Sequence, residues 1–170
     1  MSTPTFRTAT EKDVPSIIAL LADDEIARGR EGFETSVTPQ TLEAFKEIDA
    51  DKNNELWVGE LDGAVIATLQ LTMIPGLSRG GMRRALVEGM RVHADHRSQG
   101  VGEQLMQAAV ERARTLGCGL VQLTTDTRRT AAQRFYVRMG FEPTHVGMKR
   151  TVGQNDRARA EIPAPNGTAR

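Results

Sequence analysis

Cysteine is almost missing from this chain. Cys118 stands alone among 170 residues, so no internal disulfide can form. That excludes a disulfide-stapled scaffold and fits a reducing cytoplasm. Set between Gly117 and Gly119 ahead of an apolar run, Cys118 reads as a small buried residue rather than a nucleophile. No charge of one sign prevails either. Lysine plus arginine and aspartate plus glutamate each number 22, for a formal net charge of +0. A binder that neutralises nucleic-acid phosphates needs a basic surplus, so the balance argues against that class. Long hydrophobic runs are absent too: nothing approaches the ~18 consecutive apolar residues of a membrane span. The N-terminus carries no basic-then-apolar leader. The expectation is a soluble cytoplasmic protein with no membrane or nucleic-acid partner. Its length suits one hydrophobic core and leaves little for a second. A single domain is expected over 1–150, with a polar tail over 151–170 that carries Pro163, Pro165 and Gly167.

What the chain does have is concentrated between residues 85 and 117. Ala85 to Val92 is a short apolar run that reads as a strand. The polar turn Arg97-Ser98-Gln99-Gly100-Val101-Gly102 follows closely. Apolar residues then recur at Val101, Leu105, Ala108, Ala109, Ala113 and Leu116, close to the helical period. A strand feeding a glycine turn into a helix start builds an anion site. Backbone N–H groups point outward there, and the helix dipole adds roughly half a positive charge. Glycines at 100 and 102 let the backbone approach a bulky phosphate without a Cβ in the way. The segment therefore reads as a site for a phosphorylated ligand.

Three glycine motifs compete for it. A nucleotide P-loop needs Lys followed by Ser or Thr, and no such pair occurs in the chain. A dinucleotide fingerprint needs a third glycine where Leu105 stands. The pattern [QR]-x-x-G-x-[GA] is filled throughout by Arg97-x-x-Gly100-x-Gly102. With its strand and helix, this resembles the acetyl-CoA pyrophosphate loop of the GNAT superfamily of N-acetyltransferases. A second element strengthens the likeness. Ala132, Phe135-Tyr136 and Gly140-Phe141 resemble the family's N-x-x-A-x-x-F-Y followed by x-x-x-G-F, with Arg129 where Asn is usual. The resemblance covers roughly residues 4 to 150.

The rest of the chain reads in the same register. Thr5–Thr8 is a strand, and Thr10-x-x-Asp13 starts a helix carrying Val14, Ile17, Ile18 and Leu21. Asp23 to Ser36 is a polar loop. Thr38-Pro39 starts a second helix with Leu42, Phe45 and Ile48 on one face. Leu56 to Leu61 and Ala64 to Met73 are strands joined by Asp62-Gly63, a hairpin signal. A basic loop runs from Pro75 to Arg84. After the glycine turn and its helix come a strand at Leu120 to Thr125, a helix at Thr130 to Met139, and a last strand near His145 to Lys149. The order β-α-α-β-β-β-α-β-α-β matches the α/β (α+β) fold of the family: a mixed, twisted, mostly antiparallel central sheet flanked by helices.

The resemblance implies acetyl transfer from acetyl-CoA, as co-substrate, to a primary amine by direct attack in a ternary complex. No metal is implied. Backbone amides of Gln99, Gly100, Val101, Gly102 and Glu103 would hold the pyrophosphate, with Ser98 in the turn and Arg97 adding a charge. Backbone groups of Met90, Val92 and Ala94 would pair with the pantetheine, and the Val92 N–H would face the thioester carbonyl, worth on the order of 10²–10³ in rate. His93 lies in the same stretch. His93-x-x-His96 has no third ligand in view, so solvated histidines are expected. Arg129 and Ala132 fall at further cofactor positions.

An amine of pKa about 10.4 is neutral in roughly one molecule in 2,500 at pH 7, a deficit of about 4–5 kcal/mol. Glu88 is the candidate base. Strand alternation would put it on one face with Met90 and Val92, and an acid among apolar neighbours usually has a purpose. A partner for Arg83 or Arg91 is the bland alternative, and Asp126 is the reserve base. Tyr136, the single tyrosine, is the candidate general acid, since a phenol of pKa about 10 can protonate a departing thiolate. Core packing beside Phe135 is its alternative.

GNAT acceptors usually enter over the loops that here carry Arg79, Arg83, Arg84 and Glu25, Glu31, Glu34. An acceptor with both charges, or simply a solvated surface, is compatible with that. The acceptor is expected to be a small-molecule or peptide amine, and a homodimer is allowed. A non-catalytic acyl-CoA-binding sensor or partner-binding module is the alternative function.

Overall fold

The computed structural model describes residues 3–24, 35–150 and 152. Glu25, Glu31 and Glu34, and the polar tail apart from Val152, lie outside the described residues. Five strands form one sheet: β1 (Thr5–Thr8), β2 (Asn54–Leu61), β3 (Ala64–Ile74), β4 (Arg83–Val92) and β5 (Cys118–Leu123). Their spatial order is β1-β2-β3-β4-β5; the first three pairings are antiparallel, and β4 pairs with β5 in parallel. Among the described residues the longer helices are α1 (Val14–Ala22), α2 (Pro39–Ala50), α3 (Val101–Thr115) and α4 (Thr130–Arg138), and a short helical turn, Ser78–Gly81, precedes β4. The mixed, mostly antiparallel sheet is as the sequence led us to expect.

Local chemistry fixes the frame. The Thr10 N–H and hydroxyl donate to the Asp13 carboxylate at 2.7 and 2.9 Å, and Arg7 grips the same group at 2.8 and 3.0 Å. That cap starts a single 3₁₀ turn, Glu11–Asp13, which runs into α1. The Arg7 hydrogen bonds hold the Asp13 carboxyl down at about 2. Thr38 caps α2 through the Thr41 N–H, with Pro39 at the first helical position. Asp62 (φ +50°) and Gly63 (φ +81°) close the β2–β3 hairpin with two left-handed residues, the twist-compatible turn.

Pleating then divides the core in two. Ala67, Leu69, Leu71 and Met73 of β3 join Ala85 and Val87 of β4 against Leu105, Met106 and Ala109 of α3. On the other face Val58 meets Val14 and Ile17 of α1 and Phe45 of α2. Among the described residues no helix is long and apolar enough to cross a membrane.

Several boundaries move, and one element is absent. β2 begins at Asn54 rather than Leu56, β3 ends at Ile74 rather than Met73, and α4 ends at Arg138 rather than Met139. β4 begins at Arg83 rather than Ala85, and β5 runs Cys118–Leu123 rather than Leu120 to Thr125. His145 to Lys149 forms no strand. Val146 and Met148 alternate as a strand would, yet they are 88% and 92% exposed. A strand without a covered face gains no burial to offset the cost of ordering it.

Candidate active site

β4 outruns its neighbour. The β4–β5 register runs from Arg83↔Cys118 to Val87↔Leu123, where β5 ends, while β4 continues to Val92. Glu88 to Val92 therefore have β3 on one side and an opening on the other. The His93 N–H donates to the Ile66 carbonyl of β3 at 2.8 Å. Neighbouring backbone groups alternate in direction, so those of Val92 face the opening. Consistently, the Val92 carbonyl accepts from Arg97 Nε at 3.0 Å, and the Met90 carbonyl from Arg91 Nη1 at 2.7 Å.

The same stretch overturns one expectation. Thr68 pairs with Arg91 but Gln70 pairs with Glu88, so two residues of β4, Gly89 and Met90, lie opposite Leu69 alone. This is a β-bulge, and Gly89 adopts φ +60° to make it. The extra residue reverses the alternation. Met90 and Val92 pack with the α3-side core, as Ala85 and Val87 do, whereas Glu88 lies opposite Gln70 on the α1 side. Glu88 thus does not share a face with Met90 and Val92, and it is exposed rather than set among apolar neighbours. Arg83 pairs with Asn53 and Arg91 with Asp24, so neither takes Glu88 as its partner in the hydrogen bonds they make there. An isolated glycine in a strand is the sequence signal for such a bulge.

Beyond Val92 the chain turns through a 3₁₀ segment, Ala94–His96, into the glycine loop. Ser98 (φ +60°) and Gly100 (φ +81°) are both left-handed. The first intrahelical bond of α3 runs from the Gln104 N–H to the Gly100 carbonyl at 3.0 Å, and no side chain caps the helix. The N–H groups of Val101, Gly102 and Glu103 therefore have no partner within the helix. Gly102 has helical backbone; a Cβ there would lie 3.6 Å from Met90 and Val92 and 3.7 Å from Phe135. It marks the meeting point of the free end of β4, the start of α3, and α4.

His93, Ala94, Ser98, Gln99 and Glu103 are exposed around this mouth. Arg97 turns away from the loop: its guanidinium donates to the Asp23 carboxylate at 2.8 Å as well as to the Val92 carbonyl. His93 Nδ1 accepts from the Asp95 N–H at 3.3 Å. Among the described residues no group of three His, Cys, Asp or Glu could hold a metal ion.

α4 closes the far side. The Tyr136 hydroxyl points at Met90 Sδ, 3.9 Å away, and its ring makes edge contacts with Phe135 and Phe141. Burial pushes the phenol above its usual 10, while the guanidiniums of Arg91 and Arg129 pull it partway back. Those two arginines share a carboxylate. Arg91 Nη2 donates to Asp24 Oδ2 at 2.6 Å, and Arg129 donates to the same oxygen. The Asp24 side chain is 6% exposed. Sequence reasoning missed Asp24 and this use of Arg91, because the contacts span 67 and 105 residues and carry no local pattern. Ala132 is half-buried on α4, one turn before Tyr136. Asp126 is held by Arg128 through two contacts of 2.9 Å. Cys118 is half-buried, and burial pushes its thiol up, away from the reactive thiolate.

The chain and its fold have known counterparts. The profile of the acetyltransferase (GNAT) family matches residues 18–141. The crystal structure of a Bacillus halodurans protein described as a transcriptional regulator is 44% identical, with a TM-score of 0.84 over 88% of this chain and 100% of that one. The aminoalkylphosphonate N-acetyltransferase of Salmonella typhimurium is 28% identical over 140 residues, which make up 82% of this chain and 86% of that protein. A predicted acetyltransferase of Clostridium acetobutylicum, solved with acetyl-CoA, shares the fold at 18% identity and a TM-score of 0.69, over 88% and 96% of the two chains. With the family's profile matching residues 18–141, most of its length, the chain belongs to the acetyltransferase (GNAT) family.

Proposed function

We propose that this protein transfers the acetyl group of acetyl-CoA to the primary amine of a small acceptor, by direct attack in a ternary complex. The observation that carries the reading is the free edge of β4 from Glu88 to Val92, flanked by the uncapped start of α3 and by Tyr136 on Met90. In this reading the first-turn amides of α3 take the pyrophosphate, with Gly100 and Gly102 leaving room for it. Met90, Val92 and Ala94 offer their backbone to the pantetheine arm, and the Val92 N–H takes the thioester oxygen. Arg97 secures the loop to Asp23 rather than touching the phosphates, and Arg129 ties the start of α4 to Asp24. His93, Ser98, Gln99, Glu103 and Ala132 border the cofactor.

The acceptor ammonium arrives on the α1 side of the sheet, where Glu88 takes its proton. The freed amine nitrogen bonds to the acetyl carbon. The carbon–sulfur bond breaks with its electron pair going to sulfur, and Tyr136 gives that sulfur its proton. Support for an amine acceptor comes from the aminoalkylphosphonate N-acetyltransferase, which matches most of the chain. The working unit is residues 1–150, with 151–170 as an appended tail, acting in the cytoplasm.

Initial-rate kinetics with both substrates varied test the mechanism. Intersecting double-reciprocal lines are expected; parallel lines would mean an acetyl-enzyme and overturn direct attack. A sensor that holds acyl-CoA without turnover is the second reading, favoured by the description of the Bacillus halodurans relative. It predicts acetyl-CoA binding with no thiol release in the presence of any amine.

A further inference from the structure

The α1-side face of β4 carries two opposite charges, Arg84 and Glu88, that no contact among the described residues brings together. Arg84, Leu86 and Glu88 lie on that face, opposite Ile74, Thr72 and Gln70 of β3. Buried Ala85 and Val87 point the other way. Arg84 is half-buried in this row. Its Nε is fully shielded from solvent and makes no hydrogen bond, and among the described residues no carboxylate pairs with its guanidinium. The Nε of Arg83 and Arg91 are shielded in the same way, but those two arginines pair with Asn53 and Asp24. The terminal N–H groups of Arg84 have no acceptor among the described residues, and these are the donors an incoming anion would meet. A planar fork of N–H groups suits a carboxylate or phosphonate oxygen pair. Glu88, at the other end of the row, is open to solvent beside the bulge. The two lie four residue steps apart along the strand, about 13 Å at ~3.3 Å per residue, and both side chains can lean inward to shorten that span.

We propose that the acceptor is a small amine bearing its own carboxylate or phosphonate, held with its ammonium at Glu88 and its anionic group on Arg84. This rests on the amine-acetylation reading above and narrows it to a substrate class. The Thr72 and Gln70 side chains, already hydrogen-bonded to Asn54, give the floor between the two charges a polar character.

The test compares matched acceptors with wild type, Arg84→Met and Arg84→Lys. The pairs are β-alanine against β-alaninamide, and 3-aminopropylphosphonate against propylamine. Wild type is expected to favour the anionic member of at least one pair. Arg84→Met should reduce that preference in kcat/KM by about 10- to 100-fold, mainly through KM, and Arg84→Lys should restore part of it. Acetyl-CoA-induced thermal stabilisation of each variant shows that it is folded. The same amines are also titrated calorimetrically into CoA-loaded protein. Anion-dependent binding that Arg84→Met abolishes, without turnover, would uphold the subsite while overturning acetyl transfer. Turnover or binding with no preference for anionic amines, or a preference that Arg84→Met leaves intact, would overturn the subsite. Loss of the preference because a second copy covers the row would show as a concentration-dependent dimer, and would equally overturn it.

Discussion

A half-buried phenol near two guanidiniums is not an ordinary tyrosine. Burial raises the Tyr136 pKa above 10, so the hydroxyl keeps its proton across the working range and is available to a leaving thiolate. Tyr136→Phe should keep the fold and acetyl-CoA binding while kcat falls roughly 10²-fold; full kcat would return the residue to core packing beside Phe135. Because the pKa is raised, no loss of activity due to this group is expected below about pH 10 in a pH–kcat profile. Asp13 gives the opposite case. Its carboxyl is lowered to about 2 by Arg7, so its stabilising effect is present above about pH 4 and is lost as pH falls through about 2. Asp13→Asn should cost about 1–2 kcal/mol at pH 7, with the gap to wild type in urea melts closing between about pH 4 and pH 2. Both residues were legible in the sequence, Asp13 through its spacing from Thr10 and Tyr136 through its motif. The Asp24 carboxylate between Arg91 and Arg129 was not, since distant charges become neighbours only once the strands and helices have stacked.

Among the elements, the strand-turn-helix from β4 to α3 was readable because each part has a local cause: an apolar run, a glycine turn and a helical period. What escaped was phase. A single inserted residue at Gly89 moves Met90 and Val92 to the face opposite Glu88, and strict alternation cannot anticipate it. The absent strand at His145 to Lys149 shows the converse, a correct alternation with nothing to cover it. The two loop glycines separate backbone strain from ligand approach. Gly100 has φ +81°, so Gly100→Ala should cost roughly 1–2 kcal/mol of stability. Gly102 has helical backbone and room for a methyl group, with its nearest neighbours at ordinary contact distance. Gly102→Ala should therefore fold normally and bind acetyl-CoA about as wild type does, as expected where the pattern admits Ala, whereas Gly102→Asp should weaken binding at least several-fold by setting a negative charge beside the pyrophosphate. Unaltered affinity by calorimetry in a folded Gly102→Asp variant would place the pyrophosphate elsewhere.

At the scale of the whole molecule, the sheet exists to hold two strands apart. β1 to β3 form a continuous antiparallel platform, α3 and α4 clamp one face, α1 and α2 the other, and β4 projects past the end of β5. The proposed site sits at that parting, where a free strand edge, a helix start and a half-buried phenol converge. The most direct measurement is the release of free thiol from acetyl-CoA by the purified protein across an amine library, with acetylated products identified by mass. The account predicts thiol release that depends on the amine, equals product formation, and falls sharply in Glu88→Gln and Tyr136→Phe. Saturable acetyl-CoA binding with no amine-dependent thiol release, across acceptors of every charge type, would contradict it.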